Sequence, residues 1–198
     1  MDTAKFDRLL AFHCGPALAG IKPANLVSCS KILFPDLAAL LRLYNRSLNP
    51  CGIFLEIVCE CSKNFLLLLY RREKLLNCLE RDFSKETLRE EGYPIAGSLE
   101  RLLSHLKKRL QNSRDFPHEI GIFLGYPPED VAGFREKKGK DFLLCGYWKV
   151  YGNPAEAQEL FRRYDRCRSA LCRHVSGGAS ILQLFDVKKQ FYLIKEAI

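Results

Sequence analysis

Apolar residues recur at helical spacing at Phe6, Leu9, Leu10 and Phe12, and His13-Cys14-Gly15-Pro16 then introduces a Gly-Pro breaker. This pattern predicts a helix over residues 1–12 followed by a loop that runs past Gly20 and Pro23. Pro35 and Asp36 can open a second helix, whose Leu37, Leu40, Leu41 and Tyr44 share one face before Asn49-Pro50 ends it. From Ile53 to Glu60 the period changes to two, placing Ile53, Leu55, Ile57 and Cys59 on one face. After Ser62-Lys63-Asn64 comes the unbroken apolar run Phe65–Tyr70. That combination predicts a β-hairpin with a buried second strand.

Two helices are expected next, one after Ser84 and one after Ser98, the latter carrying Leu99, Leu102, Leu103, Leu106 and Leu110 on a single stripe. Residues 119–124 read as a strand, Pro127 or Pro128 starts a helix that Gly139 caps, and a further strand runs over 142–151. Asn153-Pro154-Ala155-Glu156 joins an N-cap, a proline at the first helical position and an acid at the third, so a helix to about His174 follows. The expected fold class is therefore α/β, in the mixed α+β sense. It is a sheet of about four strands with a β-hairpin in the N-terminal half and a later β-α-β unit, flanked by helices. The 198 residues read as a single domain, and residues 179–198 as an apolar C-terminal extension whose periodicity does not choose between strand and helix.

Composition adds little to this picture beyond excluding some classes. With 47% hydrophobic residues the chain can bury a full core. The run Phe65–Tyr70 falls far short of the ~20 residues that span a bilayer. The start Met1-Asp2-Thr3-Ala4-Lys5 has no basic-then-apolar leader, so a cytoplasmic location without a membrane segment is expected. In that compartment the nine cysteines are expected to be reduced, as free thiols or ligands. The net charge of +8 is dispersed over residues 101–109, 135–140 and 162–173, where Glu100, Glu136 and Asp165 interrupt or flank it. Solvated helix faces explain that distribution, and no nucleic-acid motif accompanies it.

Three stretches carry more chemistry than scaffolding needs. The loop from Phe12 to Leu26 packs His13, Cys14, Lys22 and Asn25 together; His118-Glu119 leads through Tyr126-Pro127 into a helix start; and Cys145-Gly146-Tyr147-Trp148-Lys149-Val150-Tyr151 alternates along a strand. On the last, Phe142, Leu144, Trp148 and Val150 form the expected core face, while Cys145, Tyr147, Lys149 and Tyr151 face a pocket or a covering helix. The three stretches together resemble an uncharacterised bacterial family, the domain of unknown function numbered three thousand seven hundred ninety-three, over about residues 5–175. The resemblance carries a weak association with flavodoxins and iron handling.

Two functional readings stand side by side. In the first, a cytoplasmic redox- or metal-linked protein, associated with iron homeostasis, uses Cys14, His118 and Glu119 as catalytic groups. His13, Cys14, His118 and Cys145 would then be ligands to a transition metal such as iron or zinc, because soft thiolate and imidazole suit both metal binding and thiol chemistry. This reading brings the His13-Cys14 loop over His118 and Glu119. In the second, a non-catalytic module binds a small anionic ligand or a partner protein through Lys22, Asn25, Tyr126, Lys149 and Tyr151. Neither Cys59-Glu60-Cys61 nor the Cys167/Cys172 pair has a zinc spacing, and both read as structural. His105 and His174 read as surface residues.

Overall fold

A computed structural model describes residues 2–112 and 116–185. The described residues divide into two compact units, one formed by 2–73 and 164–185 and the other by 74–112 and 116–163.

The first unit opens with helix α1 (Thr3–Leu18), capped by the Asp2 carboxylate, which accepts from the Lys5 amide. The predicted stop at His13-Cys14-Gly15-Pro16 does not occur. Pro16 lacks an N–H and crowds the preceding turn, which frees neighbouring backbone groups. A partner distant in sequence holds the next amide, the Asn25 Oδ1 accepting from the Ala17 N–H at 3.1 Å, and at the helix end the Arg71 guanidinium donates to the open carbonyls of Ala17 and Leu18. Gly15 lets the helix approach Arg168, because a Cβ there would lie 3.0 Å from the Arg168 Cα. Gly20, at φ 77°, turns the chain into strand β1 (Ala24–Ser30), a segment whose first residues were expected in the loop.

Helix α2 (Leu37–Leu48) forms where Asp36 and the Leu37/Leu40/Leu41/Tyr44 face predict it. Strands β2 (Ile53–Glu60) and β3 (Asn64–Arg71) make the expected hairpin. Ile53, Leu55 and Ile57 pack on the core as the alternation predicts, but a bulge between Ile57 and Cys59 breaks the period there, so Cys59 leaves that face. The sheet is three-stranded and antiparallel, in the order β1-β3-β2. Its core gathers Phe6, Leu10 and Cys14 of α1, Leu40 and Tyr44 of α2, and Leu67 and Leu69 of β3. Tyr44 donates to the Asp7 carboxylate at 2.7 Å, and the same oxygen accepts from the Ile181 amide.

The second unit is assembled from short elements: α3 (Arg72–Leu79), which starts just before the boundary, α4 (Asp82–Glu90), α5 (Leu99–Asn112), α6 (Ile120–Phe123) and α7 (Pro128–Lys137). Here the expected β-α-β unit fails. Residues 119–124 form the single helical turn α6 rather than a strand, because an apolar run this short is buried equally well either way and its periodicity does not choose. The expected strand 142–151 breaks into a two-stranded antiparallel ribbon, β4 (Leu144–Cys145) and β5 (Lys149–Val150). The chain reverses at Gly146, where Phe161 packs so closely that a Cβ would meet its ring at 2.2 Å. The four-stranded sheet is thus replaced by a three-stranded sheet and a ribbon within a mixed α+β fold.

Helix α8 (Pro154–Ser176) starts at Asn153 as its signature demands, the Asn153 Oδ1 accepting from the amides of Ala155 and Glu156. Its residues to Arg163 belong to the second unit and those from Tyr164 to the first. In the first unit, α9 (Ile181–Leu184) has a reciprocal capping box between Ser180 and Gln183 and buries Ile181 in the core. The rest of the C-terminal extension, 186–198, lies outside the described residues.

Candidate functional site

The residues singled out in the sequence fall into two groups. Cys14, Lys22 and Asn25 belong to the first unit, with Cys14 and Lys22 in its interior. Cys14 sits on the inner face of α1, where burial pushes its thiol far above the ordinary range. The charges of Cys29 and Lys22 act on it in opposite senses. Burial also lowers the Lys22 ammonium to about 8, and its Nζ lies 5.9 Å from the centre of the Tyr164 ring. A thiolate nucleophile needs the reverse environment, one that stabilises negative charge. Asn25 closes the gap at Pro16, and His13 lies exposed one position before Cys14.

His118, Glu119, Tyr126, Cys145, Lys149 and Tyr151 belong to the second unit. Three of them, His118, Tyr126 and Lys149, line one pocket of about 290 Å³. Phe116, Tyr126, Phe134 and Trp148 are among its lining side chains. The Tyr126 and Trp148 rings stack at 4.7 Å, Phe161 meets Trp148 edge-to-face at 4.6 Å from outside the lining, and Phe116 and Phe134 stand exposed. Burial lifts the Tyr126 hydroxyl to about 12, and that hydroxyl donates to the Tyr147 carbonyl. Lys149 donates to the Gly139 carbonyl at 2.7 Å and lies over the rings of Phe134 and Phe142.

Asp130 fixes this wall from behind. Its carboxylate accepts from Trp148 Nε1 at 2.6 Å and from the amides of Tyr151 and Gly152 at 2.6 and 2.8 Å. The acid at the start of α7 therefore holds the ribbon and orients the indole. Trp148 is buried as its strand parity predicts, whereas Phe142, assigned to the same face, is exposed because the ribbon ends before it. Tyr151 packs against Gly133 and Lys137 instead of lining the pocket, and Cys145 is exposed.

Behind His118 lies a charged cluster. Glu119 is fully buried, and its Oε1 accepts from Arg109 Nε at 2.9 Å and from the Tyr93 hydroxyl at 3.1 Å. Arg109 also donates to Glu91 Oε2 at 2.5 Å. Burial first, and then the Glu119 charge, raise the Tyr93 phenol; the hydrogen bond to Glu119 raises the Arg109 guanidinium. The His118 ring lies between the two carboxylates, with Nε2 3.4 Å from Glu91 Oε1 and Nδ1 3.8 Å from Glu119 Oε2.

Glu91, Tyr93, Arg109 and the aromatic residues Phe116 and Phe134 were not legible as site residues. Arg109 reads in sequence as one more solvated charge on an amphipathic helix, and only the fold turns it toward two acids. His105, read as a surface residue, has its ring 4.2 Å from that of Tyr93.

No curated protein and no solved structure matches this chain. Residues 10–185 match the family described as Protein of unknown function (DUF3793), and the chain belongs to that family. The matched region extends beyond residue 175, through the α9 segment whose Ile181 completes the first unit's core.

Proposed function

We propose that this protein is a binding module for a small planar organic anion, taken up in the pocket of the second unit. The observation that carries the reading is the pocket's composition: the stacked rings of Tyr126 and Trp148 together with Phe116 and Phe134, and His118 and Lys149 at the same lining. Aromatic walls with a few placed polar groups are the usual make-up of a small-molecule site. A flat ring gains stacking on such walls, and a cation supplies the contact that selects an acid over its neutral counterpart. At about 290 Å³ the pocket matches a molecule of one or two rings rather than a dinucleotide.

Trp148 is the only tryptophan of the chain and forms part of the wall, so its emission reports directly on occupancy. Titration with aromatic carboxylates and aryl phosphates should quench or shift that emission saturably. The corresponding neutral amides should bind more weakly, and Lys149→Met should remove the preference for the acid. No saturable response to any acid, or an unaltered preference in Lys149→Met, would overturn the reading.

A further inference from the structure

We propose that Glu91, His118 and Glu119 form a site for a divalent first-row metal ion of the manganese and iron class, on the buried side of His118. One nitrogen of His118 and one oxygen from each carboxylate lie within 4.8 Å of one another. This is more than a cluster of acids. Glu119 is fully buried, yet its Oε2 has no hydrogen-bond partner among the described residues, and neither does the buried His118 Nε2. A buried polar atom left without a partner costs roughly 1–3 kcal/mol, so two together at one point call for a ligand.

Arg109 explains how the donors are aimed. It takes Oε1 of Glu119 and Oε2 of Glu91 and thereby leaves the second oxygen of each on the His118 side. Tyr93 adds a hydrogen bond to the same Oε1 of Glu119. Such outer hydrogen bonds orient ligating carboxylates in metal sites. Arg109 offsets one of the two carboxylates, so the acids and the guanidinium together retain a single negative charge, which a divalent cation meets.

Bonds of about 2.1 Å place trans donors ~4.2 Å and cis donors ~3.0 Å apart, so three donors that lie within 4.8 Å of one another must draw together by at least about half an ångström to hold a common ion. The donor set contains two carboxylates, one imidazole and no thiolate. It therefore suits manganese or ferrous iron better than it suits softer, thiolate-seeking ions, and it shares only His118 with the set expected to hold iron or zinc, His13, Cys14, His118 and Cys145. Because His118 also lines the aromatic pocket, a ligand there would reach the ion's neighbourhood, but the metal site stands independently of what that pocket takes up.

The test is a titration of the full chain with Mn2+, followed by loss of the free-ion paramagnetic resonance signal. One equivalent should bind to the wild type. Glu91→Gln and Glu119→Gln should each weaken binding by about tenfold or more, while Cys14→Ser and Cys145→Ser leave it unchanged. Glu91 lies at the cluster's outer side, so Glu91→Gln should keep the wild-type circular dichroism and the Trp148 response to aromatic acids even if Glu119→Gln unfolds. Failure to retain stoichiometric Mn2+ would overturn the site. So would binding unaltered in Glu91→Gln or binding lost in Cys145→Ser; none of these outcomes bears on the aromatic pocket.

Discussion

The two units bury their polar groups in opposite ways. In the first, the buried carboxylate and amide serve the backbone and another core residue: Asp7 holds Tyr44 and the Ile181 amide, and Asn25 holds the Ala17 amide next to Pro16. In the second, buried Asp130 is similarly engaged, but among the described residues Glu119, His118 and the Tyr151 hydroxyl leave buried atoms without hydrogen bonds, the first two beside the aromatic-lined pocket. Cores satisfy their polar atoms because desolvation is otherwise uncompensated. A departure from that rule next to a cavity is what the proposed ligand and metal ion would complete. On that proposal the sheet unit is scaffold and the helical one carries recognition.

The largest effect expected from this contrast is on stability. Leu67→Ala, which empties a fully buried position of β3, should cost about 2–5 kcal/mol in urea unfolding. Phe134→Ala, at the partly exposed pocket lining, should stay within about 0.5–1 kcal/mol while weakening the Trp148 response to aromatic acids. Equal losses from the two substitutions would dissolve the distinction between scaffold and site.

Lys22 sharpens the same comparison through pH. Its folded pKa of about 8 lies below the ordinary 10.5, because burial disfavours the ammonium. Between those values the unfolded chain holds the proton and the folded chain does not, so this residue's contribution makes stability rise with pH across that window. Below pH 8 both states are protonated and the burial cost is fully present. The stability of the wild type relative to Lys22→Met should therefore climb from pH 8 to 10.5, on the order of a few kcal/mol. A flat difference would mean that Lys22 keeps its charge in the core.

The smallest effect, on thiol kinetics, separates core cysteines from surface ones. Cys61 is exposed, and backbone hydrogen bonds from Lys63 and Asn64 lower its pKa, whereas burial raises that of Cys14. Peptide mapping after brief alkylation at neutral pH should find Cys61 among the first sites modified and Cys14 among the last. Rapid labelling of Cys14 in folded protein would restore it as a nucleophile.

Elements with a strong local cause were legible in the sequence. The hairpin, α2, α5 and α8 each combine a clear period with a cap or turn, and Asn153-Pro154-Ala155-Glu156 suffices to place a helix start. His118, Tyr126 and Lys149 were legible as candidates because they interrupt regular patterns with groups that packing does not require.

What the tertiary structure decided was everything that depends on partners far apart in sequence. Pro16 ends a helix in local terms, but Asn25 holds the amide that follows it, Arg71 caps the carbonyls at the helix end, and α1 continues to Leu18. Residues 120–123 are apolar without a period, so their surroundings rather than their pattern settle them into a turn of helix. Arg109 and Glu91 look like solvated charges until the fold joins them around Glu119. Local propensity and periodicity act over a few residues, whereas a pocket or an ion cluster is held by segments whose convergence only long-range packing specifies.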